Sequence, residues 1–111
     1  MRNNEVAHER LLPVFAALGD RTRLVLIERL SGGQSHSIAE LREGLNLSHQ
    51  GVTKHLRVLE QAGLVMGAKV GRERRYQGDL AQLQTAQNYL QHVAGQWQDA
   101  LTRLKDFVES E

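Results

Sequence analysis

The chain contains no cysteine. This absence removes disulfides, thiolate metal sites and cysteine nucleophiles together, and it is compatible with a reducing compartment. Long apolar runs are missing as well. No window approaches the roughly 18 consecutive apolar residues of a membrane span, and the opening MRNNEVAHERLL has no apolar stretch of signal-peptide length. The expectation is a cytoplasmic protein with no membrane partner. Catalytic patterns are equally scarce: there is no phosphate-binding or dinucleotide glycine motif, no H-E-x-x-H, and no nucleophile with a recognisable base. An enzyme is not expected, and no cofactor is implied.

What is present is enough for one domain spanning 1–111, because 111 residues of which 41% are apolar can bury a modest core. The net charge is only +1, yet it is unevenly distributed. Between Ser48 and Tyr76, six basic residues (Lys54, Arg57, Lys69, Arg72, Arg74, Arg75) stand against two acids, Glu60 and Glu73. That local balance of +4 leaves −3 for the remainder of the chain. Positive charge concentrated in this way suits a polyanion.

Helix signals follow one another along the chain. After an N-terminal arm, 1–8, which holds His8, the segment Glu9 to Leu18 carries Leu11, Leu12, Phe15 and Leu18 at helical spacing. Its Pro13, the only proline, is tolerable near a first turn. Gly19 ends that helix, Asp20 is a good N-cap for the next, and Leu24, Ile27 and Leu30 mark its inner stripe up to Gly32 and Gly33. Ser37 and Glu40 have the S-x-x-E form of a capping box, which predicts a third helix from about Ile38 to Leu45. Ser48 then caps a fourth, with Val52, Leu56 and Leu59 inward and Gly63 as its stop.

Two short helices around a brief turn, 37–63, form a helix-turn-helix pattern. Leu64 to Val70 and Glu73 to Gln77 read as strands joined near Gly71 and Arg72, so 64–77 is a wing. The last segment, 80–108, repeats Leu83, Leu90, Trp97 and Leu104 every seven residues, interleaved with Ala86, Val93, Ala100 and Phe107. A helix of that length reaches about 43 Å at 1.5 Å per residue, more than so small a domain covers alone. It is expected to pack on its copy in a second subunit. The fold class is therefore mainly α with a small β-hairpin: a winged helix-turn-helix dimerising through terminal helices.

With Val52, Leu56 and Leu59 turned inward, His49, Gln50, Thr53, Lys54 and Arg57 point outward. These are residue types that read DNA: Gln bonds adenine, Arg and Lys reach guanine or phosphate, and the Thr methyl touches thymine. The free amides around Ser48 suit a phosphate. The candidate DNA-binding set is Ser48, His49, Gln50, Thr53, Lys54 and Arg57 on the helix, with Arg72, Arg74 and Arg75 on the wing. Gln50, Thr53 and Lys54 are the base readers and the arginines mainly phosphate contacts. His55 borders the inner stripe, where packing or a backbone hydrogen bond outweighs base reading.

Three segments carry a family resemblance. FAALGDRTRLVLIERL, LSHQGVTKHLRVLEQAGLV and GRERRYQ resemble, in order and separation, the signature segments of the ArsR-type winged-helix transcriptional repressors. The closing NYLQHVAGQWQDALTRLKDFVE is similar to the C-terminal helix of a metal-independent branch of that family. The resemblance runs from about Leu11 to Val108 and implies a homodimeric repressor on inverted-repeat operators in double-stranded DNA. It puts the first and last helices at the interface, here Leu11, Phe15, Leu83, Leu90, Val93, Trp97, Leu101 and Leu104. The wing departs from the family's usual Asp-Gly turn, having Val70 and Gly71.

Metal-sensing members of the family carry a four-ligand pattern on the last helix. Asp79 and His92 stand at two of its positions, but Ala81 and Gly95 occupy the others. Two ligands of four do not close a tetrahedral site, so no metal is expected: Asp79 caps the helix and His92 lies on its polar flank. The alternative function is a winged-helix protein-interaction module that does not bind DNA. Such a module would more often expose apolar or acidic residues where this wing carries Arg72, Arg74 and Arg75.

Overall fold

The computed structural model describes residues 2–110, with side chains from residue 8 onward. In chain order it runs α1 (Arg2–Leu18), α2 (Arg21–Arg29), β1 (His36–Ser37), α3 (Ile38–Leu41), α4 (His49–Gln61), β2 (Val65–Val70), β3 (Glu73–Gly78) and α5 (Leu80–Glu109). Among the described residues no helix is long and apolar enough to cross a membrane.

Local chemistry sets most boundaries. The Asp20 carboxylate accepts from the Arg23 amide at 3.0 Å and starts α2. Ser37 accepts from the Glu40 amide at 3.1 Å while its hydroxyl reaches the Glu40 carboxylate at 3.2 Å. Ser48 accepts from the Gly51 amide at 3.0 Å. Each side-chain oxygen satisfies an amide that the helix itself leaves without a partner. α4 stops in a Schellman motif: Gly63 donates to the Glu60 carbonyl at 3.0 Å and Leu64 to that of Leu59 at 2.9 Å.

Inside, Val14 and Ala17 of α1, Leu26 of α2, Leu41 of α3, and Val52, Leu56 and Leu59 of α4 close on Leu64, just before the sheet, and on Val65 and Tyr76 within it. Several of these side chains are fully buried, and Tyr76 is the largest of them. The sheet is antiparallel in the order β1-β3-β2, with Ser37 opposite Arg75 and Val70 opposite Glu73. Between Val70 and Glu73 only Gly71 and Arg72 remain. Gly71 has φ +65° and Arg72 is not left-handed, the pattern of a II′ hairpin whose first central position demands glycine.

Several sequence expectations are corrected. Residues 2–8 are not an arm but the start of α1, so Pro13 lies deep in that helix. It is tolerated on the exposed side, where water can satisfy the Glu9 carbonyl that its ring leaves unpaired. Leu24 faces solvent, 45% exposed, and Leu26 takes its place in the core. α3 ends at Leu41, and Arg29 Nη1 donates to the Leu41 carbonyl at 2.7 Å and, just beyond the helix, to that of Glu43 at 2.6 Å. Leu11 is buried in the chain's own core and is not a surface residue. Leu83 and Ala86 also pack on that core, so the inner end of the heptad is spent within the chain.

The rest of α5 is different. Tyr89 meets His8 edge-on at 5.6 Å and Phe15 at 6.2 Å, which fixes the helix to α1. From residue 94 to 110 every position is exposed, a projection of about 25 Å at 1.5 Å per residue. The Cα radius of gyration is accordingly 18.8 Å, against about 13 Å for a compact chain of this length.

Candidate nucleic-acid interface

The outer face of α4 is mainly polar, with Val58 exposed at its edge. His49, Gln50, Lys54 and Arg57 are exposed, and Thr53 is half-buried beside them. Thr53 spends its hydroxyl on the His49 carbonyl at 2.8 Å, which leaves the methyl as its free contact. Ser48 and the first amides of the helix lie at the same end, where the helix dipole favours an anion. Among the described residues, Lys54, Arg57, Lys69 and Arg72 have no carboxylate at ion-pair distance. Their charge is directed at solvent.

The wing's arginines divide into two classes. Arg72 stands exposed at the hairpin tip and lines a cleft with His49, Ser37, Ala39 and Arg74. Arg74 and Arg75, on opposite faces of β3 by strand alternation, are both engaged within the chain. Arg74 pairs with Glu60 of α4 at 3.2 Å and donates to the Tyr76 hydroxyl at 3.2 Å. That hydroxyl is the first cause of its guanidinium being held above its ordinary value, with Glu60 adding to it. Arg75 pairs with Glu73 at 3.0 Å and Glu40 at 3.4 Å and donates to the Ser35 carbonyl at 2.9 Å. Glu40 is kept below the usual carboxylate range first by the His36 ring beside it, then by the charge of Arg75.

Histidine 55 points the other way. Its Nδ1 lies 3.3 Å from Arg23 Nη1 and 3.7 Å from the Asp20 carboxylate, tying α4 to α2 behind the reading face. Asp20 is lowered first by the Arg23 amide that it caps. On α5, Asp79 accepts from the Ala81 amide at 3.0 Å and so caps the helix, while His92 Nε2 lies 3.3 Å from Gln96. Thirteen residues of helix, about 20 Å at 1.5 Å per residue, separate the two within one chain. Glu60, Gly67 and Tyr76, which hold Arg74, were not singled out from the sequence. The alternation of Arg74 and Tyr76 across the strand from a glycine was the available signal.

On the second surface, Leu90, Trp97, Leu101 and Leu104 are exposed together with Phe107 and Val108, and Trp97 shows 69% of its area. Val93 and Phe15 are half-buried. A shallow apolar groove between α1 and α5, lined by Phe15, Leu18, Ala86, Leu90 and Ala94, runs into this stripe.

Known proteins share both sequence and fold with this chain. The helix-turn-helix domain family matches residues 18–68. An HTH-type transcriptional regulator of Mycobacterium tuberculosis is 36% identical over 97 residues, 87% of each chain. An ArsR-like transcriptional regulator from Rhodococcus sp. RHA1 superposes with a TM-score of 0.78 at 36% identity, covering 94% of both chains. A homodimeric winged helix-turn-helix domain from Mycobacterium bovis, a possible ArsR-family regulator, shares the fold at a TM-score of 0.65 and 19% identity, over 90% of this chain and 92% of its own. With the capped helix pair, the hairpin and these likenesses together, the chain belongs to the ArsR-type winged helix-turn-helix family of DNA-binding transcriptional regulators.

Proposed function

We propose that the chain is a homodimeric repressor that occupies an inverted-repeat operator in duplex DNA. The observation that carries this reading is the solvent-facing row on α4, His49, Gln50, Lys54 and Arg57, beside a wing-tip arginine, Arg72, that has no carboxylate at ion-pair distance among the described residues. In this reading 37–63 is the reading unit, 64–77 the wing and 80–108 the dimerisation helix. Gln50, the Thr53 methyl and Lys54 meet base edges in the major groove, while Arg57, Arg72 and the amides at Ser48 meet phosphates. Trp97, Leu101 and Leu104, with Leu90, Val93 and Phe15, meet the same surface of a second copy. The homodimeric state of the Mycobacterium bovis protein supports that arrangement.

Two-fold symmetry in the protein requires two-fold symmetry in the site, with half-sites about 34 to 36 Å apart, one helical turn. Bound there, the dimer would obstruct transcription. Sequencing of genomic fragments retained by the purified protein tests this directly. The expected motif is a pseudo-palindrome upstream of a gene whose transcript rises when the protein is deleted. Enrichment of asymmetric sites, or of none, sinks the operator model.

A further inference from the structure

Arg74 looks like one more cation for a phosphate, but its surroundings are those of a strut. Glu60 lies on the last turn of α4, and its Oε2 accepts both from Arg74 Nη2 at 3.2 Å and from the Gly67 amide at 3.3 Å. Gly67 belongs to β2, an edge strand of the sheet. Arg74 Nε is bound to the Tyr76 hydroxyl at 3.2 Å, and its guanidinium lies 5.6 Å from the centroid of that ring. Tyr76 is itself anchored in the core. The recognition helix, both wing strands and the core thus meet at one guanidinium.

Gly67 supplies an independent observation. Its φ is not positive, so its backbone has no need of glycine. A Cβ there would sit 2.8 Å from Arg74 Nη2 and 2.9 Å from Tyr76 Cε1. Those distances are too short, so the missing side chain is what leaves room for Arg74 and the Tyr76 ring against β2. A planar fork with several fixed donors can hold this position, whereas a flexible ammonium cannot make the same set of bonds.

We infer that Arg74 is a positioning residue, locking the wing to the recognition helix through Glu60 so that Arg72 and Lys69 meet the DNA backbone in register with the bases read by α4. This rests on the reading of α4 and the wing tip as the DNA surface. The bonds to Tyr76 and Glu60 use Nε and Nη2 of Arg74 and leave Nη1 free, so a phosphate contact and a strut are told apart by the salt dependence of binding: a contact adds to the slope, whereas a strut does not.

Arg74→Lys, Arg74→Gln and Glu60→Gln, with the double variant, separate the two roles. Three quantities are read: affinity for the recovered operator, its dependence on salt, and hydrogen exchange of the Gly67 amide in the free protein by NMR. A strut predicts that Arg74→Lys, with its charge intact, still loses roughly tenfold in operator affinity, about the worth of one charge-assisted hydrogen bond. Glu60→Gln loses a similar factor, the double variant is no worse than either single one, the salt slope is unchanged, and Gly67 exchange quickens in Glu60→Gln. Full rescue by lysine overturns the strut. So does a slope lowered by about one in Arg74→Gln, tighter binding in Glu60→Gln, or unaltered Gly67 exchange. A wild type that binds no duplex removes the DNA reading itself, while a binding wild type matched by Arg74→Lys removes only the strut.

Discussion

Two helices of this chain expose surfaces of opposite character. α4 shows the polar row His49, Gln50, Lys54 and Arg57, with Val58 at its edge; the outer half of α5, exposed all round, carries the apolar row Trp97, Leu101, Leu104, Phe107 and Val108. Water alone accounts for the first, since a polar face is what any surface helix shows. It becomes a DNA surface only through its setting, with a capped N-terminus on one side and Arg72 on the other. Water does not account for the second. Soluble monomers rarely expose contiguous apolar patches of more than a few hundred Å², and each Å² left in water forgoes about 25 cal/mol. The apolar face is thus the stronger sign that a partner exists, and the polar face is more specific about what its partner is.

The largest effect that would break this contrast is at Trp97. It is 69% exposed within its own chain, so truncation should leave the monomer's thermal stability unchanged. If a second copy covers it, Trp97→Ala should cost association about 2 to 4 kcal/mol, as central aromatic anchors do. Sedimentation velocity across a dilution series reads the shift toward monomer, and operator affinity should fall with it although no DNA contact is lost. A variant that stays dimeric means that Trp97 is not the anchor. A wild type that is monomeric at micromolar concentration removes the two-fold operator model as well.

The contrast also explains what could be read from sequence and what could not. Helices α2, α3 and α4 were legible at their starts because their N-caps are local: Asp20, Ser37 and Ser48 each bond an amide within three residues. The hairpin was legible because Gly71 is needed at its turn. Strand β1 was not, since His36 and Ser37 carry no alternation of their own and become a strand only by lying along β3. The run Leu24 to Ile27 hid which apolar residue faces inward, because four consecutive apolar side chains fit more than one stripe. The α5 heptad marked an apolar stripe correctly but not that Leu83 and Ala86 are spent on the chain's own core. On the candidate interface, the α4 face followed from helical period alone. The engagement of Arg74 and Arg75 with Glu60 and Glu40 did not, because those pairs join residues 14 and 35 positions apart.

A smaller effect sharpens the polar side. Gln50 and Lys54 face solvent, so alanine at either should leave folding intact and weaken operator binding by about 1 to 3 kcal/mol if each side chain reads a base. Competition between operator and scrambled duplex in fluorescence anisotropy separates reading from mere attraction. Selective loss on the operator identifies a base reader, whereas equal loss on both duplexes moves the residue to the phosphate class. No loss for either would leave the face merely solvated and remove the recognition-helix assignment.

The smallest effect expected is at Arg72, and it separates the two faces by a property that only one of them should have. Binding to a polyanion releases counterions, so log affinity falls linearly with log salt by about 0.9 for each phosphate neutralised. Arg72 has no carboxylate at ion-pair distance among the described residues, so its charge is available in full. Arg72→Ala should therefore reduce that slope by about one and weaken operator and random duplex alike, its deficit against the wild type shrinking only about threefold to fourfold between 50 and 200 mM salt. Self-association through α5 should show no such dependence, because the exposed stripe carries apolar rather than charged groups. Running both titrations on the same protein compares the faces directly. An unchanged slope in Arg72→Ala would mean that the wing tip does not touch DNA. Association that weakened with salt as steeply as DNA binding would mean that charge, rather than the Trp97 stripe, holds the two copies together.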